Sequence, residues 1–304
     1  MKLRVNIFNT SSNLPLFAAV ANGFFARRGL EIEIQNTPNS DEQRAGLAEG
    51  KFEIAHAAVD NAVAMIESGK DAVIVCGGDA GMNDFMVRSE INAISELKGK
   101  LLAVDAPNTA YALAAKKILK LNGLLENRDY GVKLAGGTGP RSAAMVADPL
   151  LAAGMINPPF SFTVREKGLK SLGTQFDLLG AYQATGAFVM REWAVANART
   201  LTDYLAAYIE GQRHVLDPAH RAGMIALLEE RFKLSPAVAE GTYEAVVAPG
   251  SGLATDAGFN HEGFVTVLAI RAEMEGMWGG KPPSPDRYLD LSHYSKALAQ
   301  TQAS

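Results

Sequence analysis

Two short polar segments stand directly in front of apolar, helix-like runs. Asn9, Thr10, Ser11, Ser12 and Asn13 precede LPLFAAVANGFF, and DAPNT (105–109) precedes AYALAAKKILKL. The first turn of a helix leaves backbone N–H groups without intrahelical partners, so such segments suit an anion or another hydrogen-bond acceptor. The alternative is that Ser11, Ser12, Asn13, Asn108 and Thr109 cap the helices with their own side chains. Both roles stay open, because one cap satisfies only part of a first turn. Arg141 follows AGGTGP in the first turn of another helix. A guanidinium there either clamps a carboxylate or sulfonate in bidentate fashion or lies in solvent.

Other constellations are poorer. Cys76 and His56 fall at the ends of two predicted strands, and a Cys–His pair is nucleophilic when the thiol pKa is lowered. Cys76 nevertheless sits in the apolar run AVIVC, which suits an inert buried thiol, and no third orienting group is evident. The five histidines, 56, 214, 220, 261 and 293, form no zinc motif, so no metal is expected. GGTG lacks the Lys-Ser/Thr of a P-loop, and AGGTGPRSA falls short of GxGxxG, so no nucleotide cofactor is expected either.

The bulk numbers fit a globular chain. It has 304 residues, 48% hydrophobic and 20% charged, enough for one large or two medium domains. A net charge of −4 without a basic block argues against a nucleic-acid partner. A single cysteine excludes an intrachain disulfide. No apolar run is long enough to span a membrane. The start, MKLRVNIF, alternates like a strand and has no signal-peptide pattern. That leaves a cytoplasmic protein or a mature exported form with an added Met1.

The elements that must position these residues alternate. Strands are expected at 2–8, 30–35, 52–56 and 71–76, with helices from Pro15 to Gly29, at 41–49 and at 61–69. Ser40 and Gln43 have capping-box spacing for the helix at 41–49, and Asp60 directly precedes the one at 61–69. A second round follows: strand 101–104, a helix to Gly123, strand and loop in KLAGGTG, and a helix through SAAMVADPLLAAG broken near Asp148–Pro149. Short strands are expected in GLKSLG and at 185–193, and helices dominate from 197 onward. Such βαβ alternation predicts mostly parallel sheets, which place ligands at the carboxyl ends of their strands. Two such units facing each other would form a cleft lined by both polar loops.

Longer phrases carry a family likeness. GFFARRGLEIEI with LAEGKFEIAHAAVDNAVAMIESGKD resembles the solute-binding proteins that serve ABC importers. The likeness is nearest to the sulfonate, taurine, nitrate and thiamine-pyrimidine-precursor binders. INAISELKGKLLAVDAPNTAYALAAKKILKLNGL is similar to that family's entry into the second lobe, and MINPPFSFTVREKGLKSLG to its cleft segment and last strand. FNHEGFVTVLAIRAEMEG and PDRYLDLSHYSKAL resemble its helical C-terminal end, so the likeness spans nearly the whole chain.

The resemblance implies an α/β chain of the type II periplasmic-binding-protein fold, two α/β lobes around a ligand cleft with a helical C-terminal region. It places 1–92 plus 184–304 in one lobe and 93–183 in the other, with hinges near 88–95 and 180–187. It implies capture of a small organic anion or heterocycle by hinge closure without chemistry, delivery to a membrane permease, a monomer, and a periplasmic location. The alternative is a cytoplasmic enzyme on the same fold, like the pyrimidine synthase, desulfinase and decarboxylases among the family's relatives.

Matching loops gives the implied ligand contacts. The first lobe supplies Asn9, Thr10, Ser11, Asn13, His56, Ala57, Val59, Asp60, Asp79 and Asn83, with Gly78 beside them. The second supplies Asp105, Asn108, Thr109, Tyr111, Gly137, Thr138, Arg141, Asn157, Pro159 and Phe160. Asp60 is read either as a helix cap or as a contact. If Asp60, Asp79 and Asp105 all approach the cleft, an amine-bearing solute or polar heterocycle fits as well as an anion. Tyr111 and Phe160 either stack on a planar ligand or pack within their lobe. Pro158–Pro159 either lines the cleft or serves as a rigid connector.

Overall fold

The computed structural model describes residues 1–302. Among the described residues, ten strands form two five-stranded sheets. The first has the order β2-β1-β3-β10-β4, from β1 (Lys2–Ile7), β2 (Glu31–Asn36), β3 (Ile54–Ala58), β4 (Ala72–Gly77) and β10 (Thr185–Met190). The second has the order β7-β6-β8-β5-β9, from β5 (Asp84–Arg88), β6 (Leu101–Val104), β7 (Gly131–Leu134), β8 (Leu151–Ile156) and β9 (Leu169–Thr174). Pairing is parallel except where β10 lies between β3 and β4, and β5 between β8 and β9.

Helices pack on these sheets: α1 (Leu14–Ala21), α2 (Ser40–Ala48), α3 (Val59–Glu67), α4 (Ala110–Leu121), α5 (Thr138–Ala147), α6 (Phe160–Arg165) and α7 (Gln175–Leu179). The C-terminal part supplies α8 (Arg191–Ala196), α9 (Ala198–Leu216), α10 (Arg221–Phe232), α11 (Pro236–Val247), α12 (His261–Glu275) and α13 (Ser292–Gln302). Alternating Leu3, Val5 and Ile7 point from β1 into a core completed by Tyr204, Leu205 and Tyr208 of α9. That side of the first sheet is therefore closed by a helix nearly two hundred residues away in sequence. The second sheet has its own core, in which Phe85, Val87, Leu102 and Val104 meet Ile118 and Leu119 of α4.

Three sequence expectations need correction. The helix at 40–48 is capped by Asn39, whose Oδ1 accepts the Glu42 N–H at 2.8 Å, while Ser40 lies inside the helix. Asn39 is extended (φ −157°) and so holds the cap geometry. The run after Pro149 is not helical: LAAGMI (151–156) forms β8, buried along its whole length between β6 and β5. A strand covered on both faces shows no alternation, so its apolar run also reads as helix. Finally, β5 belongs to the second sheet although it lies within 1–92, so the chain crosses over before Asp84 and returns between Thr174 and Thr185.

The two crossings are tied together. Asn83 O accepts the Gln175 N–H at 2.7 Å, and Asp79 O accepts the N–H groups of Ala184 and Thr185. The Asp79 carboxylate takes the Thr185 hydroxyl and the Gly81 N–H. Burial lifts its pKa above the usual carboxylate range, against these hydrogen bonds.

Gly186 sits in the middle of the first sheet, where a Cβ would lie 2.5 Å from Cys76 O and 3.0 Å from Val59 Cγ1. Gly186→Ala is expected to destabilise the protein by about 1–3 kcal/mol through overpacking, as measured by urea unfolding.

Candidate functional site

A cleft of about 660 Å³, counting its solvent-open mouth, lies between the two sheets. From the first sheet's side it is lined by Phe8, Thr10, Ser12 and Asn13 after β1, Ser40 at the start of α2, His56, Ala57 and Ala58 at the end of β3, Asn61 of α3, and Thr185 of β10. From the other side come Ala103, Val104 and Asp105 after β6, Thr109, Ala110, Tyr111 and Ala112 at the start of α4, Gly137, Thr138 and Arg141 of α5, and Met155 and Asn157 at the end of β8. Carboxyl ends of strands from both sheets thus meet in one place.

Apart from α2, which Asn39 caps, the helices that open onto the cleft keep their first-turn donors free of side-chain caps. Ala58 and Gly137 precede α3 and α5 without a capping bond. Thr109 precedes α4, but its hydroxyl donates instead to Ala106 O at 3.1 Å. Asn13 precedes α1 and donates its side-chain amide to Phe8 O at 2.8 Å. Capping by Asn13 and Thr109, one of the two roles open from the sequence, is therefore not what these residues do. The first-turn N–H groups of α4 and α5 flank the cleft, where the helix field favours an acceptor.

Arg141 is 3% exposed and anchored within its own lobe. Its Nε and Nη2 donate to Met155 O at 3.0 and 2.9 Å, its Nη1 to Gly136 O at 2.7 Å, and its Nη2 also to Thr138 Oγ1 at 3.3 Å. All of these acceptors are neutral, and no carboxylate lies at ion-pair distance among the described residues. Burial draws its pKa down to about 10 while Asp105 acts the other way, so the group remains a cation at neutral pH. The solvated arginine allowed by the sequence is excluded. Thr138 also donates to Asn157 Oδ1 at 2.6 Å, and the Tyr111 hydroxyl faces Asn83 and Asn157. Burial pushes that hydroxyl up to about 12, so it stays protonated.

His56 is neutral. It is 4% exposed, its Nε2 lies 2.7 Å from the Tyr204 hydroxyl, and burial lowers its pKa to about 3. Cys76 does not join it. β10 separates β3 from β4, with Ala187 paired to both His56 and Cys76, so the two lie two strand spacings apart, about 10 Å. Burial raises the thiol to about 12. No thiolate–imidazole pair forms.

Eleven of the residues implied by the family likeness line the cleft: Thr10, Asn13, His56, Ala57, Asp105, Thr109, Tyr111, Gly137, Thr138, Arg141 and Asn157. Others have different positions. Asp60 lies inside α3, which starts at Val59, and pairs with Arg271 through Nε–Oδ1 at 2.7 Å and a second contact from Nη2 to Oδ2. Arg271 also donates to Asn108 O at 3.2 Å, and the Asn108 side chain is exposed, as is Asn9. Asp79 and Asn83 hold the crossings, and Val59 is core. The Ser11 N–H and hydroxyl both donate to Pro158 O, at 3.1 and 2.9 Å, bridging the two halves next to buried Pro159. Phe160 packs against the second lobe's core. Of the three aspartates, only Asp105 reaches the cleft.

The contacts implied by the resemblance left out the lining residues Phe8, Ser12, Ser40, Ala58, Asn61, Ala103, Val104, Ala110, Ala112, Met155 and Thr185. Phe8, Ala58, Val104 and Met155 flank residues that were selected, so widening each strand-end window would have found them. Thr185 comes from the returning strand and left no local signal. Among the described residues, no group of three or more His, Cys, Asp or Glu could hold a metal ion.

Two outcomes follow from this geometry. A Cβ on Gly137 would stand 3.0 Å from Pro38 O across the mouth, while its φ of −59° suits any residue. Gly137→Ala, and more so Gly137→Val, should prop the mouth open without loss of thermal stability, read as an increased radius of gyration by small-angle scattering. His56 is depressed from 6.5 to about 3, so its contribution is intact above pH 6.5 and is lost as pH falls toward 3. Stability should drop in that window with a slope of up to about 1.4 kcal/mol per pH unit from this group. His56→Asn, compared by urea unfolding, should show a shallower decline.

Residues 10–154 match the family model described as NMT1/THI5 like. No curated protein matches the chain in sequence. Among solved structures, a protein from Bordetella bronchiseptica RB50 superposes with a TM-score of 0.84 at 16% identity, covering 99% of this chain and 98% of that one. A ligand-binding component of an ABC-type import system from Staphylococcus aureus, solved with zinc bound, gives 0.80 at 13% identity over 98% and 99%. The alkanesulfonate-binding protein SsuA from Xanthomonas axonopodis pv. citri, bound to MOPS, gives 0.72 at 18% identity over 97% of each chain. The desulfurization enzyme DSZB also shares the architecture, with a TM-score of 0.67 at 14% identity over 98% and 99%. Two of these four neighbours are binding proteins and one is an enzyme, and the two-lobed architecture with its NMT1/THI5-like segment identifies this chain as having the periplasmic-binding-protein fold.

Proposed function

We propose that the protein is the solute-binding component of an ABC import system, working outside the cytoplasmic membrane and capturing a small acidic solute between its lobes. The observation that carries this reading is Arg141, a buried cation on the cleft wall whose protein partners are all neutral acceptors. A buried charge with no carboxylate in direct contact is costly, and an anionic ligand group lowers that cost. The uncapped starts of α4 and α5 add N–H donors on the same wall. The likeness to an import-system component and to a sulfonate binder supports the same class of solute.

Capture uses hinge bending. The lobes are the first sheet with the C-terminal helices and the second sheet with its own helices, and motion is confined to the crossings near 78–83 and 175–184. The Ser11–Pro158 bonds, the Ser40–Asp105 contact and the approach of Gly137 to Pro38 belong to the closed form, which a membrane permease recognises. Ser11, Asp79 and Asn83 act here in closure and hinge support, while the lining residues meet the solute. The protein works as a monomer.

A second reading, an enzyme on this fold, is favoured only by the likeness to a desulfurization enzyme. The separation of Cys76 from His56 removes its most direct nucleophile.

Titration calorimetry over sulfonates, carboxylates and nitrate is expected to find a bound acid. Arg141→Ala should weaken it at least tenfold, about 1.4 kcal/mol, with Arg141→Lys intermediate. Unchanged affinity in a folded Arg141→Ala protein would retire the reading. Turnover of the bound acid would instead support the enzyme.

A further inference from the structure

The two lobes carry opposite net charge. Residues 84–174, which hold the second sheet, contain twelve Lys and Arg against eight Asp and Glu, a net +4. The remaining residues contain seventeen against twenty-five, a net −8, and the two together give the chain's −4. Bases of one lobe meet an acid of the other at a seam between α4 and α12.

The helix α4 belongs to both lobes. Ala112, Ala115, Ile118 and Leu119 pack in the second lobe's core. Leu113, 2% exposed, instead joins Phe264, Val267 and Leu268 of α12 in a core of the first lobe. Leu113, Lys117 and Lys120 are spaced i, i+4 and i+7, so one face of α4 carries all three toward α12. There Glu273 accepts from Lys117 Nζ at 2.6 Å and pairs with Lys120 Nζ at 2.9 Å. Among the described residues neither lysine has another ion pair. The two lysines hold the Glu273 carboxyl below the usual range. On the same seam Arg271 reaches Asn108 O in the loop before α4.

A single half-exposed ion pair adds little to folding stability. Open and closed forms, however, differ little in free energy, so contacts made in only one of them shift their populations. In this cluster the acid sits on one lobe and both bases on the other, so a rotation between lobes changes every distance in it. Opening also returns Leu113 to water, which apolar surface resists.

Resting on the hinge closure proposed above, we infer that the α4–α12 seam is an electrostatic latch for the closed form, with Glu273 gripping Lys117 and Lys120 across the lobe boundary. The latch acts before any solute enters, so the unoccupied protein already visits the closed form, and salt sets how often. None of the three side chains lines the cleft. They are positioning residues, because the helix they hold is the one whose uncapped first turn opens onto the cleft.

Small-angle scattering of the protein without solute tests the latch. In about 0.01 M NaCl, where the Debye length is about 30 Å, the wild-type radius of gyration should be smaller than in about 1 M, where that length is about 3 Å. Glu273→Lys should raise the low-salt radius toward the high-salt value and shrink the salt response. Adding Lys117→Glu and Lys120→Glu reverses every charge in the cluster and should restore both; loss of a merely structural side chain is not rescued by reversing its partners. Melting temperatures show that the variants are folded, and if Glu273→Lys is not, Glu273→Gln takes its place with the same expected direction. A wild-type radius equal at both salts overturns the latch. So does a folded Glu273 variant with the wild-type response, or a triple variant no more compact than Glu273→Lys. Calorimetry keeps the two readings apart: an acid bound without any salt response leaves capture standing, and a salt response in a protein that binds no acid supports the latch and retires capture.

Discussion

Asp79 is the point on which the two-lobe arrangement depends. A carboxylate buried at the crossing between sheets is costly unless it is fully hydrogen-bonded. Here it takes the Thr185 hydroxyl and the Gly81 N–H, while its own N–H donates to Thr185 Oγ1 at 2.9 Å. Its carbonyl oxygen accepts two N–H groups from the returning strand. One residue therefore joins the outgoing and returning segments, which lie more than a hundred positions apart in sequence. Together with the bond from the Gln175 N–H to Asn83 O, these contacts tie the two crossings to each other and define the angle between the lobes.

The same double crossing explains the sheets. Each lobe builds a parallel set from its own βαβ units and then receives one antiparallel strand at the crossing, β10 in the first sheet and β5 in the second. These strands start at the crossings, so they carry crossing residues into the sheets. Thr185, at the start of β10, both holds Asp79 and lines the cleft. Lobe orientation and the cleft floor are thereby set by one side chain.

The cleft walls are electrostatically unequal. The first lobe contributes hydroxyls, amides and a neutral imidazole, while the second contributes both charges and two uncapped helix starts. Arg141 stays charged because its own lobe's carbonyls solvate it without neutralising it. By contrast, Asp60 and Arg271 neutralise each other in a buried pair away from the cleft. A buried pair contributes specificity of packing more than stability, and this one positions the loop before α4 through Asn108 O.

Much was legible from local pattern. Strand alternation in β1, the unbroken LLAV of β6 and the loops before α1 and α4 follow from side-chain periodicity and backbone chemistry, which act over a few residues. The family likeness carried the fold and the cleft's general place. The rest required contacts between distant segments. LAAGMI became a strand because both its faces are covered, and Asp60 left the cleft because Arg271 approaches it from 211 positions away. His56 and Cys76 were kept apart because β10 inserts between their strands. The sequence by itself determined which residues prefer helix, strand or loop, since those preferences are local. Which carboxylate is paired, which is structural and which faces the cleft was decided only by tertiary structure, because burial and partner distance set the cost of a charge.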